Sequence, residues 1–83
     1  MAEVYILKMR DGSYYVGSTD ELKSRLVRHQ SGRVTSTKKK LPFTLEYIEI
    51  FETKGEAQSR EYQIKKWKSR KAIERLIKNG AIV

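Results

Sequence analysis

The apolar positions fall into three short extended runs and three stretches of helical spacing, and their order already suggests an architecture. The first eighteen residues read as a hairpin. Val4-Tyr5-Ile6-Leu7 and Tyr14-Tyr15-Val16-Gly17 are rich in β-branched and aromatic side chains, and Arg10-Asp11-Gly12 lies between them as a turn signal. Turn length decides the register. A two-residue Asp11-Gly12 loop pairs Lys8 with Tyr15 and sends Tyr5 and Tyr15 to opposite faces. A three-residue Arg10-Asp11-Gly12 loop, with Gly12 left-handed in a bulge, puts both tyrosines on one face, and this is the register expected.

Thr19 or Asp20 is placed to cap a helix reaching about Gln30, with acidic Asp20-Glu21 suiting its positive end and Gly32 offering a left-handed stop. On this helix Leu22, Arg25, Leu26 and His29 fall within a sector of roughly 100°, so two polar residues share the apolar face. Residues 31 to 42 have no periodicity and carry Arg33 and Lys38-Lys39-Lys40, which makes them a basic loop. Leu45 to Phe51 reads as a third strand packed mainly on one face. The capping-box pattern Thr53-Lys54-Gly55-Glu56 opens a helix from about Lys54 to Trp67. Its stripe is Ala57, Ile64 and Trp67, with Glu61 about 40° from the Ala57 edge. A last helix, about Arg70 to Lys78, presents Ile73, Leu76 and Ile77 and stops at Asn79-Gly80. The expected fold is therefore α+β: a small three-stranded antiparallel sheet packed with three helices, in the order β-β-α-β-α-α, forming one domain over residues 1–83.

Charge adds a partner to this outline. Eighteen Lys and Arg against ten Asp and Glu give a formal net charge of +8, for which polyanions are the natural ligands. No run approaches the ~20 apolar residues that span a bilayer, and the N-terminal residues lack the pattern of a signal peptide, so a cytoplasmic protein is the simplest reading. The absence of cysteine excludes disulfides, thiolate zinc sites and thiol catalysis. With His29 the one histidine, a bound metal must rest mainly on carboxylate oxygens, which favours Mg²⁺ or Mn²⁺ over zinc.

Val4-Tyr5-Ile6, Tyr15-Val16-Gly17, the Arg25 to His29 spacing and Glu61 occur in the order of the motifs of the GIY-YIG nuclease superfamily. The chain resembles its short single-domain members over nearly its whole length, and more distantly the nuclease domain of the UvrC DNA-repair protein. Val4 stands where the family name has glycine. The resemblance implies a metal-dependent endonuclease that hydrolyses phosphodiester bonds, in DNA more than in RNA, with structure-directed or low sequence specificity.

Phosphodiester hydrolysis needs a deprotonated water, charge relief on the phosphate and stabilisation of the departing oxygen. Under the resemblance Glu61 holds the hydrated divalent metal, and Arg25 grips the scissile phosphate with its planar fork. Tyr5 acts as general base and Tyr15 lines the same pocket. A phenol with a pKa of about 10 needs help, and Arg25, the metal or His29 is expected to lower that value or to accept the proton in relay. Gly17 lets backbone or substrate approach closely beside Tyr15. The hydroxyls of Ser18 and Thr19 are available to a phosphate, although Thr19 is expected to serve as the helix cap. Arg28, Arg33, Lys38, Lys39, Lys40, Lys65, Lys66 and Lys68 would hold flanking phosphates without reading sequence, leaving specificity to substrate shape or to a protein partner. Each residue also has a structural reading: Glu61 paired with Lys65 one turn on, Arg25 covering the core, and the aromatics as core packing. The alternative functions are a nucleic-acid-binding module that keeps the fold with little cleavage, and a basic dock for an acidic protein.

Overall fold

In the computed structural model, which describes residues 1–80, the hairpin is closed by the Met9 N–H donating to the Ser13 carbonyl at 2.8 Å and the Gly12 N–H to the Met9 carbonyl at 2.9 Å. Gly12 is left-handed, with φ of 86°, a conformation open to a residue without a β-carbon. The loop is therefore the three residues Arg10, Asp11 and Gly12. Strands β1 (Ala2–Met9) and β2 (Tyr14–Thr19) then pair with Tyr5 opposite Gly17 and Leu7 opposite Tyr15. Because Tyr5 and Leu7 share a face, Tyr5 and Tyr15 do too, as the sequence reading required.

Strand β3 (Phe43–Phe51) adds antiparallel to the other side of β1, giving the order β2-β1-β3. It begins two residues earlier than its apolar pattern suggested and differs in a second way. The register shifts between Ile6 and Leu7, which face Tyr47 and Leu45, so Glu46 is an extra residue on β3. A bulge of this kind reverses which face the following residues meet. Phe43 and Leu45 therefore pack with Tyr5, Leu7 and Met9, whereas Tyr47 and Phe51 pack with Val4 and Ile6 on the opposite side. The expectation of a strand packed mainly on one face is corrected accordingly.

Helix α1 (Leu22–Gln30) covers the Tyr5 face through Leu22 and Leu26. It starts after Glu21 and not at Thr19 or Asp20. Thr19 is buried as the last residue of β2, and its hydroxyl accepts the Glu21 N–H at 3.0 Å, forming a turn before the helix instead of capping it. The helix end follows the sequence signal. Gly32 has φ of 79°, and the Arg33 and Gly32 N–H groups donate to the Arg28 and His29 carbonyls, the double bond pattern of a Schellman stop. The basic loop then makes a short 3₁₀ turn at Lys38–Lys40.

The other face is covered by α2 (Lys54–Lys66) and α3 (Arg70–Asn79), which enclose a core of Val4, Ile6, Val16, Tyr47, Ala57 and Ile64 with Ile73, Leu76 and Ile77 against it. The capping box forms in full between Thr53 and Glu56. Trp67, expected in the buried stripe, is 36% exposed just past the end of α2, where the Arg60 guanidinium lies 5.6 Å from its ring. Left-handed Lys68 (φ 48°) then turns the chain into α3, whose first turn Ser69 caps. No helix among the described residues is long and apolar enough to cross a membrane.

Candidate active site

On the α1 face of the sheet, the rings of Tyr5, Tyr15 and His29 gather at the exposed edge strand β2. Tyr5 and Tyr15 centroids are 6.2 Å apart, and His29 stands edge-on to both, at 5.7 and 4.8 Å. Phe43 closes the group from β3, 6.1 Å from His29. Gly17 makes room for this arrangement, because a β-carbon there would lie 2.5 Å from the Tyr5 hydroxyl oxygen and 3.0 Å from the Tyr15 ring. The approach that Gly17 permits is thus that of Tyr5 itself.

His29 is fully buried, and both ring nitrogens have partners. Nδ1 lies 3.0 Å from the Thr37 hydroxyl oxygen and Nε2 lies 2.9 Å from the Tyr5 oxygen. Thr37 donates its own proton to the Val34 carbonyl at 3.3 Å, so its oxygen is left to accept from Nδ1–H. Nε2 is then the free lone pair, and Tyr5 donates to it. The bond order follows from satisfying every buried group, none of which is left without a partner among the described residues.

Electrostatics point the same way. Burial, then the charges of Arg25 and Arg28, hold His29 below its ordinary pKa of 6.5, so the ring is neutral at neutral pH. Tyr5 is fully buried, and its pKa is pushed up from 10, first by burial and then by Tyr15, with Arg25 pulling less strongly the other way. Arg25 does pull the Tyr5 pKa down, as expected of it, but desolvation of a phenolate outweighs the guanidinium and the net direction is upward. A neutral phenol hydrogen-bonded to a neutral imidazole can pass a proton along without either charging beforehand.

Arg25 stands half-buried on α1, one turn before His29, and among the described residues its guanidinium makes no hydrogen bond or ion pair. Glu61 comes from α2, on the opposite layer, and meets the edge strand at Ser18. The Ser18 hydroxyl donates to one carboxylate oxygen and the Lys65 ammonium to the other. Its negative charge is still felt at Tyr5. The ion pair with Lys65 that the sequence offered for Glu61 is thus formed. Ser18, expected to face a phosphate, spends its proton on Glu61.

Among the described residues no three His, Asp or Glu side chains gather into a cage for a metal. A single carboxylate with a hydroxyl beside it fits an oxygen-seeking cation that keeps most of its waters, as Mg²⁺ does, and does not fit zinc.

The basic residues are spread around the molecule. Arg28 and Arg33 border a shallow depression on the outer side of α1 with Lys23, and Lys38, Lys39 and Lys40 are exposed on the loop. Lys66 lies over the ring of Tyr62 at 4.9 Å, and Lys65 and Lys68 are exposed nearby in sequence. Thr37 and Phe43 escaped the sequence reading. Thr37 sits in an aperiodic loop where no local pattern marks a buried acceptor, and Phe43 precedes the recognised strand.

The sequence model of the GIY-YIG catalytic domain matches residues 1–74. A UPF0213 protein of Staphylococcus saprophyticus is 40% identical over 78 residues, covering 93% of this chain and 94% of that one. Another, from Clostridium perfringens, is 49% identical over 67 residues, covering 80% of this chain and 72% of the relative. The solution NMR structure of a UPF0213 protein from Bacillus halodurans matches with a TM-score of 0.61 and 38% identity, over 94% of this chain and 84% of that chain.

Proposed function

Since this chain belongs to the GIY-YIG catalytic domain family, a nuclease superfamily, we propose that residues 1–83 form one endonuclease domain that hydrolyses phosphodiester bonds in DNA with a divalent metal. The observation that carries this reading is the bond of 2.9 Å between the Tyr5 hydroxyl and His29 Nε2. As the attacking water gives its proton to the Tyr5 oxygen, Tyr5 gives its own proton to His29, and no free phenolate is needed. His29 takes the proton finally, the buried Tyr5 oxygen meets the attacking water once substrate reaches it past Tyr15, and Thr37 holds the imidazole in the tautomer that can accept.

Arg25 supplies a guanidinium without a partner among the described residues to the phosphate oxygens, where charge develops as the phosphorus becomes pentavalent. Tyr15 walls the pocket and directs the phosphate toward Tyr5. Glu61 would hold Mg²⁺ or Mn²⁺, whose charge, when bound, relieves the phosphate and the departing oxygen. Lys65 must then leave that carboxylate and becomes available to a neighbouring phosphate. Arg28, Arg33, Lys38, Lys39, Lys40, Lys66 and Lys68 hold the strand by charge alone, so specificity comes from substrate shape or from a partner protein.

The test is incubation of supercoiled, single-stranded and branched DNA with the protein and Mg²⁺ or Mn²⁺. Nicking by the wild type that is lost in Glu61→Ala and His29→Ala supports the proposal. Equal survival of all substrates with wild type and both variants removes it.

One observation favours a second reading, a nucleic-acid-binding module with little cleavage: both Glu61 oxygens are already engaged, by Ser18 and Lys65. Salt-dependent binding without strand breaks, unchanged by Glu61→Ala, would decide for it.

A further inference from the structure

Between the end of α1 and the start of β3, Gln30, Leu41, Pro42 and Phe43 enclose a cavity of about 160 Å³ that the proposed reaction does not use. Apolar cavities of roughly 150 Å³ admit a benzene ring, whereas drug-sized ligands fill about 300–1,000 Å³. By volume the space suits one small ring. Its walls are an aliphatic side chain, a proline ring and a phenyl ring, and its polar side chain is the exposed Gln30, whose amide offers both a donor and an acceptor.

Two features identify the occupant. Phe43 separates this cavity from the His29 cluster, its ring 6.1 Å from the imidazole, so a group held here lies next to the candidate active site. The residues entering the cavity wall along the chain are Lys38, Lys39 and Lys40, all exposed, so the apolar slot is preceded by three cations. A mainly apolar cavity of this size next to three cations in the chain matches a nucleotide, with its base inside and its phosphate outside.

We propose that this cavity receives the unpaired base of a nucleic-acid strand whose phosphates lie on the Lys38–Lys40 turn, making bulged or single-stranded nucleotides the preferred substrates. Pulling a paired base from a duplex costs its stacking and pairing, which one small slot cannot offset, while a bulged base is already unpaired. Stacking on Phe43 holds any base, and the Gln30 amide contacts its edge. The inference rests on the reading above only in taking nucleic acid as the ligand, so it is tested by binding, with the metal removed and no cleavage.

The probe is a duplex with a single bulged 2-aminopurine, compared with the same duplex fully paired, titrated with the full chain in EDTA. Wild type should bind the bulged duplex at least tenfold more tightly and quench the probe. Gln30→Phe, which fills the slot from an exposed position, should bring the ratio close to one. Gln30→Ala, which leaves the slot open, should keep most of it, and circular dichroism melts should show both variants folded. Equal affinity of wild type for the two duplexes, or an unchanged ratio in Gln30→Phe, overturns the base slot alone. Failure to bind either duplex overturns it together with the nuclease reading.

Discussion

Gly17 and Tyr5 face each other across the β1–β2 pair, and a β-carbon on Gly17 would stand 2.5 Å from the hydroxyl oxygen that Tyr5 directs at His29. Tyr5 is fully buried and cannot swing away without displacing Tyr15 or His29. Gly17→Ala should therefore cost about 1–3 kcal/mol of stability as an overpacked site. The same shift should break the relay, lowering DNA nicking by more than tenfold in protein that is still folded. Thermal unfolding and a nicking assay on one preparation check both.

Tyr5→Phe keeps the ring but leaves His29 Nε2 a buried acceptor without a donor, at an expected cost of about 1–3 kcal/mol. Cleavage should fall by roughly 10²–10⁴, the usual worth of a positioned acid–base group. Thr37→Val, close in shape, removes the acceptor for Nδ1–H. It should lower kcat while leaving KM for DNA nearly unchanged, because Thr37 acts on the imidazole and not on the substrate. An unchanged kcat in Thr37→Val would show that the tautomer is irrelevant.

The two shifted groups of the candidate site, His29 and Tyr5, act at opposite edges of a pH window, and Tyr14 and Tyr47, raised by burial and their glutamate partners, add to the alkaline edge. His29 is held below 6.5 in the folded state, so the unfolded chain binds its proton first as pH falls. Stability from this group is complete above 6.5 and is lost as pH drops below that value and through the lower folded one. Tyr5 is raised above 10, so the unfolded chain releases its proton first, and stability present below 10 is lost as pH rises beyond it. Melting temperatures should plateau between these limits, and cleavage should fall on the acid side as His29 charges. His29→Phe should remove the acid limb of the stability profile; a limb that persists would assign it to other groups.

The Lys65 ammonium sits on Glu61 one helical turn away and competes with any cation there. With Lys65 about half exposed, such a pair is worth only about 0.3–0.5 kcal/mol. Lys65→Met should therefore tighten Mn²⁺ binding by about twofold in calorimetry, and Glu61→Gln should abolish it. Mn²⁺ binding that survives Glu61→Gln would locate the metal elsewhere.

Charge-driven binding to phosphates weakens with salt, with a slope near −0.9 per phosphate contacted on duplex DNA. Replacing Lys38, Lys39 and Lys40 by alanine should reduce the slope of log K against log salt by about 3 if each holds one phosphate. An unchanged slope would take the loop out of the interface.

Local chemistry alone determined much of this protein. Asp11-Gly12 and the tyrosine spacing specified the hairpin register, because a left-handed residue was needed at one position and only Gly12 offers it without strain. Gly32 ended α1, and Thr53 with Glu56 began α2, for similarly local reasons. The helical period put Arg25 and His29 on the face that turned out to be covered, and motif order picked out Tyr5, Tyr15 and Glu61. What depended on distant parts of the chain was decided only by the tertiary structure. The bulge at Glu46 is visible only when β3 is paired with β1, Trp67 stays partly exposed beneath Arg60, and Thr37 meets His29 through a loop without periodicity. Burial, which no window of sequence reports, raises the Tyr5 pKa where its cationic neighbour alone would lower it. Turns and caps are satisfied within a few residues; desolvation and cross-layer hydrogen bonds exist only once the layers have closed.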